Sequence, residues 1–358
     1  MKISGAAAWI LLLGVMPGSA SGAAVNEGVF APDRLNHVLG QDGVTPIPVK
    51  LRDGSGAYLW TFGDTILGGW KGAVVTTATL DFSAAADMKA MPSNTMALTP
   101  VPSSANYRSL DFSFYAPGGK ITEFIGYKPG ENPFVNRLWA AGGTQAGGFI
   151  YVYFMEVAIA TAAPGGFVFK GAGLARAPVP QSALPGLLAF ERVEAFRAEG
   201  LAVGDSLAAR GKYIYILGRA ARANDGRLTS LCLMRVRPRH IEELSRYEFL
   251  TSRGKWSAKE RGYFFDDVGG EASLVYDPAK KLFRIIYMSF ASQEIKAAEF
   301  AEFADFARTP GAWPLYTPPS KKGALYYSAK EIFSDGGNIY LIYMDPSIYQ
   351  PVLVRIPR

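Results

Sequence analysis

Apolar side chains in this chain gather into short runs that start after a tight turn and stop at Gly, Pro, Asn or Asp. The stretches 57–67 (AYLWTFGDTIL), 147–158 (GGFIYVYFMEVA), 212–220 (KYIYILGRA), 281–290 (KLFRIIYMSF) and 338–345 (NIYLIYMD) are rich in Tyr, Phe, Val and Ile. They follow the turn signals DGSG, TQAGG, ARG, DPAKK and SDGG. Aromatic and β-branched residues bounded by turn formers read as strands. A shorter strand of small residues with a polar tip precedes each run, as in GDSLAA, GEASLVY and YYSAKEI. One unit therefore recurs about five times, at spacings of roughly 55 to 90 residues. Radial β architectures repeat four-stranded sheets in this way, so the expected fold is all-β, a five-bladed β-propeller. A two-sheet sandwich would also show alternating strands, but it would not explain a polar residue on the first strand of each unit. Helical composition is best in 294–307, where a loop and strand inside the fourth unit is slightly preferred to a helix.

The first residues follow another pattern. Lys2 precedes the apolar run 6–16 (AAAWILLLGVM), and small residues follow at 17–24 (PGSASGAA). Charge, short apolar run and small residues are the parts of a secretory signal peptide, expected over 1–23. The run is shorter than the roughly 20 residues a spanning helix needs, and no later stretch is a better candidate. A secreted or periplasmic protein without membrane insertion is expected, with 24–358 as one domain, a monomer.

Composition narrows the chemistry. Hydrophobic residues make up 49% of the chain and aromatics 13%, enough for a large core and for surfaces that stack on ligands. The formal net charge is +6, but the cations are scattered, and the cluster 235–240 (RVRPRH) reads as a solvated turn, so no nucleic-acid partner is expected. Cys232 is the only cysteine, which excludes an intrachain disulfide; its setting SLCLMRV reads as a buried strand thiol. With two histidines in the whole chain there is no zinc cluster, and GxSxG, HExxH and GxxxxGK[ST] are absent. No cofactor or metal is assigned, a calcium ion among channel carboxylates being left open.

In a propeller the first strands line the central axis, so polar side chains distant in sequence converge there. The candidates are Asp42 (GQDGVTP), Asp205 (VGDSLAA), Glu271 (GGEASLVYD) and Tyr327 with Ser328 (YYSAKEI). The second unit offers Trp139, Gly142 and Thr144 in place of an acid. Asp64, closing WTFGDT, either reaches a neighbouring first strand or caps a turn; Asp266 and Asp267 read as loop residues. Converging acids suit glycoside hydrolysis, which needs two carboxyl groups across the bond. Trp60, Trp70, Trp139, Tyr127 and Trp256 could present flat faces to sugar rings, although most are expected in the core.

The order QDG (41–43), WTFGDT (60–65) and SNTMAL (93–98) resembles the opening of the domain-of-unknown-function family 4185. Segments 269–289, 307–313 (ARTPGAW) and 326–344 are similar to its fourth and fifth blades, so the resemblance covers most of the chain from about Asn36 onward. It implies a five-bladed β-propeller related to arabinanases and β-fructosidases, some relatives being endo-D-arabinanases on cell-envelope arabinan. It also implies a catalytic pair at Asp42 and Asp64, with Glu271 as a further channel carboxylate.

The expected function is a secreted glycoside hydrolase on a furanose-containing or other envelope polysaccharide, with Asp42 and Asp64 as acid and base or nucleophile. Glu271 and Asp205 would orient sugar hydroxyls or raise a neighbour's pKa. Asn94, Trp139, Tyr327 and Lys330 are expected substrate contacts. The alternatives are a non-catalytic carbohydrate-binding or envelope-assembly propeller, and a protein-interaction propeller whose important residues lie on outer loops.

Overall fold

A computed structural model of the chain describes residues 23–30, 37–69, 87–161, 166–221, 227–321, 323 and 325–358. The expected signal peptide, apart from position 23, and Trp70 lie outside the described residues.

Antiparallel strands dominate the described residues, in six sheets. The first is built from Thr45–Lys50, Gly56–Phe62, Thr95–Thr99 and Ser113–Phe114, and the second from Asn136–Ala146, Phe149–Ile159, Phe167–Pro178 and Glu191–Arg192. The third contains Leu201–Arg210, Tyr213–Ala220, Ser230–Val236, Glu248–Leu250 and Trp256–Ser257. The fourth contains Ser273–Asp277, Leu282–Met288, Ile295–Phe300 and Trp313–Tyr316. The fifth takes Tyr327–Ser334, Asn338–Asp345 and Gln350–Pro357 and is completed by Val25–Val29 from the other end of the chain. The sixth is a small extension of the first, made of Val38–Gln41, Thr65–Gly69 and Asp87–Ala90.

The five apolar runs of the sequence form the second strands of the five larger sheets, the first run continuing past a break at 63–64 into the sixth sheet, and the small-residue strands are the first. First strands touch in cyclic order, each sheet's against the next and the fifth's against the first sheet's. Small residues are needed there because the backbones come close. A Cβ on Gly142 would lie 2.6 Å from the carbonyl oxygen of Gly204 in the neighbouring first strand.

Side chains alternate across a strand, so a sheet sandwiched on both sides needs two apolar faces. Ile47 and Leu59 of the first sheet meet Leu138 and Val152 of the second. Tyr153 and Leu174 meet Val203, Ile216 and Met234 of the third, where Cys232 is buried as expected, its thiol pushed up to about 12 by burial. Leu217 and Leu233 meet Leu274, Phe283 and Ile285 of the fourth. Ile286 and Met288 meet Leu341 and Val354 of the fifth, and Tyr340 and Ile342 return to Trp60 and Phe62 of the first. Successive residues such as Leu341 and Ile342 thus serve different cores, which is why the second strands read as continuous apolar runs. Each fully buried Leu, Ile or Phe contributes about 1.5–3 kcal/mol.

Segment 294–307 departs in part from expectation. Ile295–Phe300 is a strand, but Phe303–Arg308 forms one helical turn and a half, held because Phe303, Phe306 and Ala307 plug the core between the third and fourth sheets. No helix among the described residues is long and apolar enough to cross a membrane.

Candidate active site

The hairpin that begins the first sheet is interrupted on both strands, at 42–44 and at 63–64, and an aspartate stands at each break. The breaks pair with each other: Asp42 N–H donates to Asp64 O at 3.1 Å, and Gly63 N–H donates to Asp42 O at 2.7 Å. The side chains then part. Asp42 Oδ1 accepts from Gly43 N at 2.6 Å, and Oδ2 accepts from the Tyr349 hydroxyl at 3.5 Å. The Tyr327 hydroxyl also bonds to this carboxyl. Among the described residues Asp42 forms no ion pair. Burial, then the charges of Glu271 and Asp64, push its pKa up to about 7 against the pull of Tyr327 and Gly43. Near neutral pH this carboxyl can therefore give or take a proton.

Asp64 reaches the second sheet's first strand, one of the two roles its position suggested. Arg137 Nε and Nη2 donate to Asp64 Oδ1 at 3.0 and 2.5 Å. The same guanidinium donates from Nη2 to Met91 O at 2.7 Å and from Nη1 to Pro133 O at 3.2 Å. One cation thus ties two loops to the carboxylate. Burial raises the Asp64 pKa and Arg137 opposes it.

Asp205 and Glu271 share Arg219, which rises from the third sheet's second strand. Arg219 Nε lies 2.7 Å from Asp205 Oδ2, and Nη2 lies 3.2 Å from Asp205 Oδ1 and 3.6 Å from Glu271 Oε1. Glu271 also accepts from the Ser328 hydroxyl, while its own N–H donates to Ser328 Oγ at 3.2 Å. Burial alone would raise Glu271; Lys330, Arg219 and Ser328 outweigh it and hold the carboxyl down at about 2. Lys330, 1% exposed, donates to Thr45 Oγ1 at 2.7 Å and feels Glu271, Asp205 and Asp42. Burial lowers its pKa and those carboxylates resist.

The structure therefore brings together Asp42, Asp64, Asp205, Glu271, Tyr327 and Lys330 from the first, third, fourth and fifth sheets. Trp139, half-buried, stands beside Asp64 with its ring edge-on to Phe167, centroids 4.7 Å apart. Asn94 is different from its expected role. It is fully buried, and its Oδ1 accepts from Phe124 N at 3.1 Å and Ile125 N at 2.8 Å while Nδ2 donates to Ile125 O, so it ties two chain segments together. Trp60 is core, its indole N–H donating to Thr99 Oγ1 at 2.8 Å, and Trp256 packs on Tyr215 and Phe303. Asp266 and Asp267 occupy a turn, as expected.

Sequence reasoning missed Arg137, Arg219 and Tyr349. Arg219 carries a signal in retrospect, a cation near the end of an otherwise apolar strand. Two non-glycine residues at the cluster adopt left-handed backbone, Ser328 at φ 53° and Tyr349 at φ 51°. Such conformations cost on the order of 1–3 kcal/mol and collect at functional sites. Among the described residues no three acidic, His or Cys side chains gather as a metal-ligand set; Arg219 and Lys330 stand among the carboxylates instead. A cleft of about 360 Å³ lies elsewhere, beside Val25–Val29, and is lined by none of the cluster carboxylates.

The fold defines an all-β protein with a convergent carboxylate cluster, and solved structures share that fold. A candidate hydrolase from Bacteroides ovatus ATCC 8483 superposes with a TM-score of 0.62 at 14% identity, covering 89% of this chain and 86% of its own. The exo-beta-1,3-galactanase of Phanerochaete chrysosporium, solved with beta-1,3-galactotriose, superposes with a TM-score of 0.52 at 9% identity, covering 94% of this chain and 64% of the galactanase. No protein-family model and no curated protein sequence matches the chain.

Proposed function

We propose that this chain is an exported glycoside hydrolase of five-bladed β-propeller architecture, in keeping with its resemblance to the domain-of-unknown-function family 4185. Its substrate in this reading is a furanose-containing or other cell-envelope polysaccharide. The observation that carries the reading is Asp42. Of the clustered carboxyls it alone forms no ion pair among the described residues, and burial, with the charges of Glu271 and Asp64, brings its proton affinity near neutrality. Asp64, fixed by Arg137, is the second carboxylate of the pair, and Glu271 holds a sugar hydroxyl while the buried Asp205, Arg219 and Lys330 position it from behind. The galactanase that shares the fold was solved with a galactotriose, which supports a sugar ligand at this kind of scaffold.

The test is incubation of the chain from residue 24 with arabinans, fructans, xylans and galactans, reading released oligosaccharides beside Asp42→Asn. Release that the substitution abolishes supports the hydrolase; release that persists removes Asp42 from the mechanism.

A second reading, a carbohydrate-binding propeller without catalysis, is favoured by the ion pairing of both Asp64 and Asp205, which leaves few unneutralised carboxylates. It requires sugar affinity with no product from any polymer.

A further inference from the structure

The loop before the second sheet's first strand presents Phe134 with 87% of its surface exposed. Nothing in the fold accounts for that ring, since an exposed phenyl adds nothing to a core. Yet its loop is firmly built. Asn132 Oδ1 accepts from Phe134 N at 3.0 Å, and Asn132 O accepts from Val135 N at 3.0 Å and Asn136 N at 2.7 Å. Glu131 is held by Arg192 at 2.7 Å and by Lys128 N at 2.8 Å. Pro133 O accepts from Arg137, the guanidinium that holds Asp64. One side chain therefore fixes both a cluster carboxylate and the residue preceding Phe134.

An apolar strip continues from this ring. Val135 O accepts from Ile159 N at 2.8 Å, Ile159 pairs with Phe167 and Ala158 with Val168, and Val135, Ile159, Phe167 and Val168 are all exposed. The strip crosses the end of the second sheet and meets the cluster at Phe167, whose ring lies 4.7 Å from that of Trp139, the indole beside Asp64. A solvent-facing ring on a hydrogen-bonded loop, one residue from the carbonyl that holds the Asp64 guanidinium, offers a surface for the C–H face of a sugar.

We infer that Phe134 is the platform of a sugar subsite flanking the carboxylate cluster, taking one residue of an oligosaccharide or polysaccharide by stacking. The inference rests on the carbohydrate reading above but not on catalysis. Its test uses the Asp42→Asn protein, so that ligands survive, titrated calorimetrically with hexasaccharides from arabinan, xylan and galactan. Adding Phe134→Ala should weaken the hexasaccharide that binds by about tenfold, the scale of one lost stacking contact. Phe134→Trp should keep the affinity, and both variants should melt with the parent. Equal affinities with and without Phe134→Ala, or no hexasaccharide bound by the parent, overturn the platform. So does a Phe134 dependence seen only in self-association or in binding to phosphatidylglycerol vesicles. Hydrolysis by the protein with Asp42 intact is scored separately. Phe134-dependent binding without hydrolysis keeps the platform and removes the hydrolase, and hydrolysis with Phe134-independent binding does the reverse.

Discussion

Asp42 and Asp64 are hydrogen-bonded to each other through their backbones while their side chains take opposite environments, one among phenols and carboxylates and the other on a guanidinium. Substitution should separate them. Asp42→Asn should abolish turnover with no loss of melting temperature at pH 7. Asp64→Asn should also lose activity but destabilise the chain, because Arg137 is left buried without its counter-charge; breaking such a pair costs about 3–5 kcal/mol. Thermal melts alongside rates on the responsive polymer check both, and a fully active Asp64→Asn protein would remove Asp64 from the site.

Acidity gives the second prediction. With a folded pKa of about 7 against an ordinary 3.8, the native state binds more protons than the unfolded chain between those values. Stability therefore declines as pH rises through that window, by up to about 1.4 kcal/mol per pH unit, and levels above it. Asp42→Asn should remove the slope, so that its melting temperature gains on the parent's between pH 5 and pH 8. The rate should show one inflection near pH 7, on the alkaline side if Asp42 donates the proton and on the acid side if it accepts.

Arg219 neutralises two carboxylates at once. Arg219→Met should cost about 3–5 kcal/mol by stranding buried Asp205 and loosening Glu271. Adding Asp205→Asn should recover part of that loss, as a double-mutant cycle of chemical denaturation would reveal; strict additivity would deny the coupling.

Gly270 supplies a backbone test of the same cluster. It sits at φ 79°, and a Cβ there would fall 2.5 Å from Ser328 Oγ. Gly270→Ala should displace the hydroxyl that holds Glu271 and lower stability by roughly 1–3 kcal/mol. An unchanged melt and rate would show that the loop yields freely.

The strand runs were legible because a sheet buried on both faces writes a nearly unbroken apolar stretch, and the small first strands were legible because close backbones admit little else. Asp42, Asp205 and Glu271 stood out as acids in that setting. Arg137 and Arg219 did not, since an ion pair is a fact of three dimensions: Arg137 meets an aspartate 73 positions away. Tyr349 arrives only because the fifth sheet lies against Val38–Gln41, where Gln41 N donates to Tyr349 O at 3.0 Å. Asn94 was misjudged because a buried amide bonding to backbone and one reaching a ligand look alike in sequence. Phe134 was missed because aromatic content predicts core first, and exposure depends on how its loop is framed.

The strand Val25–Val29, which completes the fifth sheet, gives the ring a kinetic character. Glu27 grips Arg355 across 328 positions, so closing that contact in an open chain carries an entropic penalty of about 5 kcal/mol. The other five sheets can assemble from neighbouring segments, but this seam has to wait for a strand from the other end of the chain. Refolding should therefore be slow and late-closing, with the unsealed edge of Gln350–Pro357 open to proteases and to strands from other molecules until Val25–Val29 finds it.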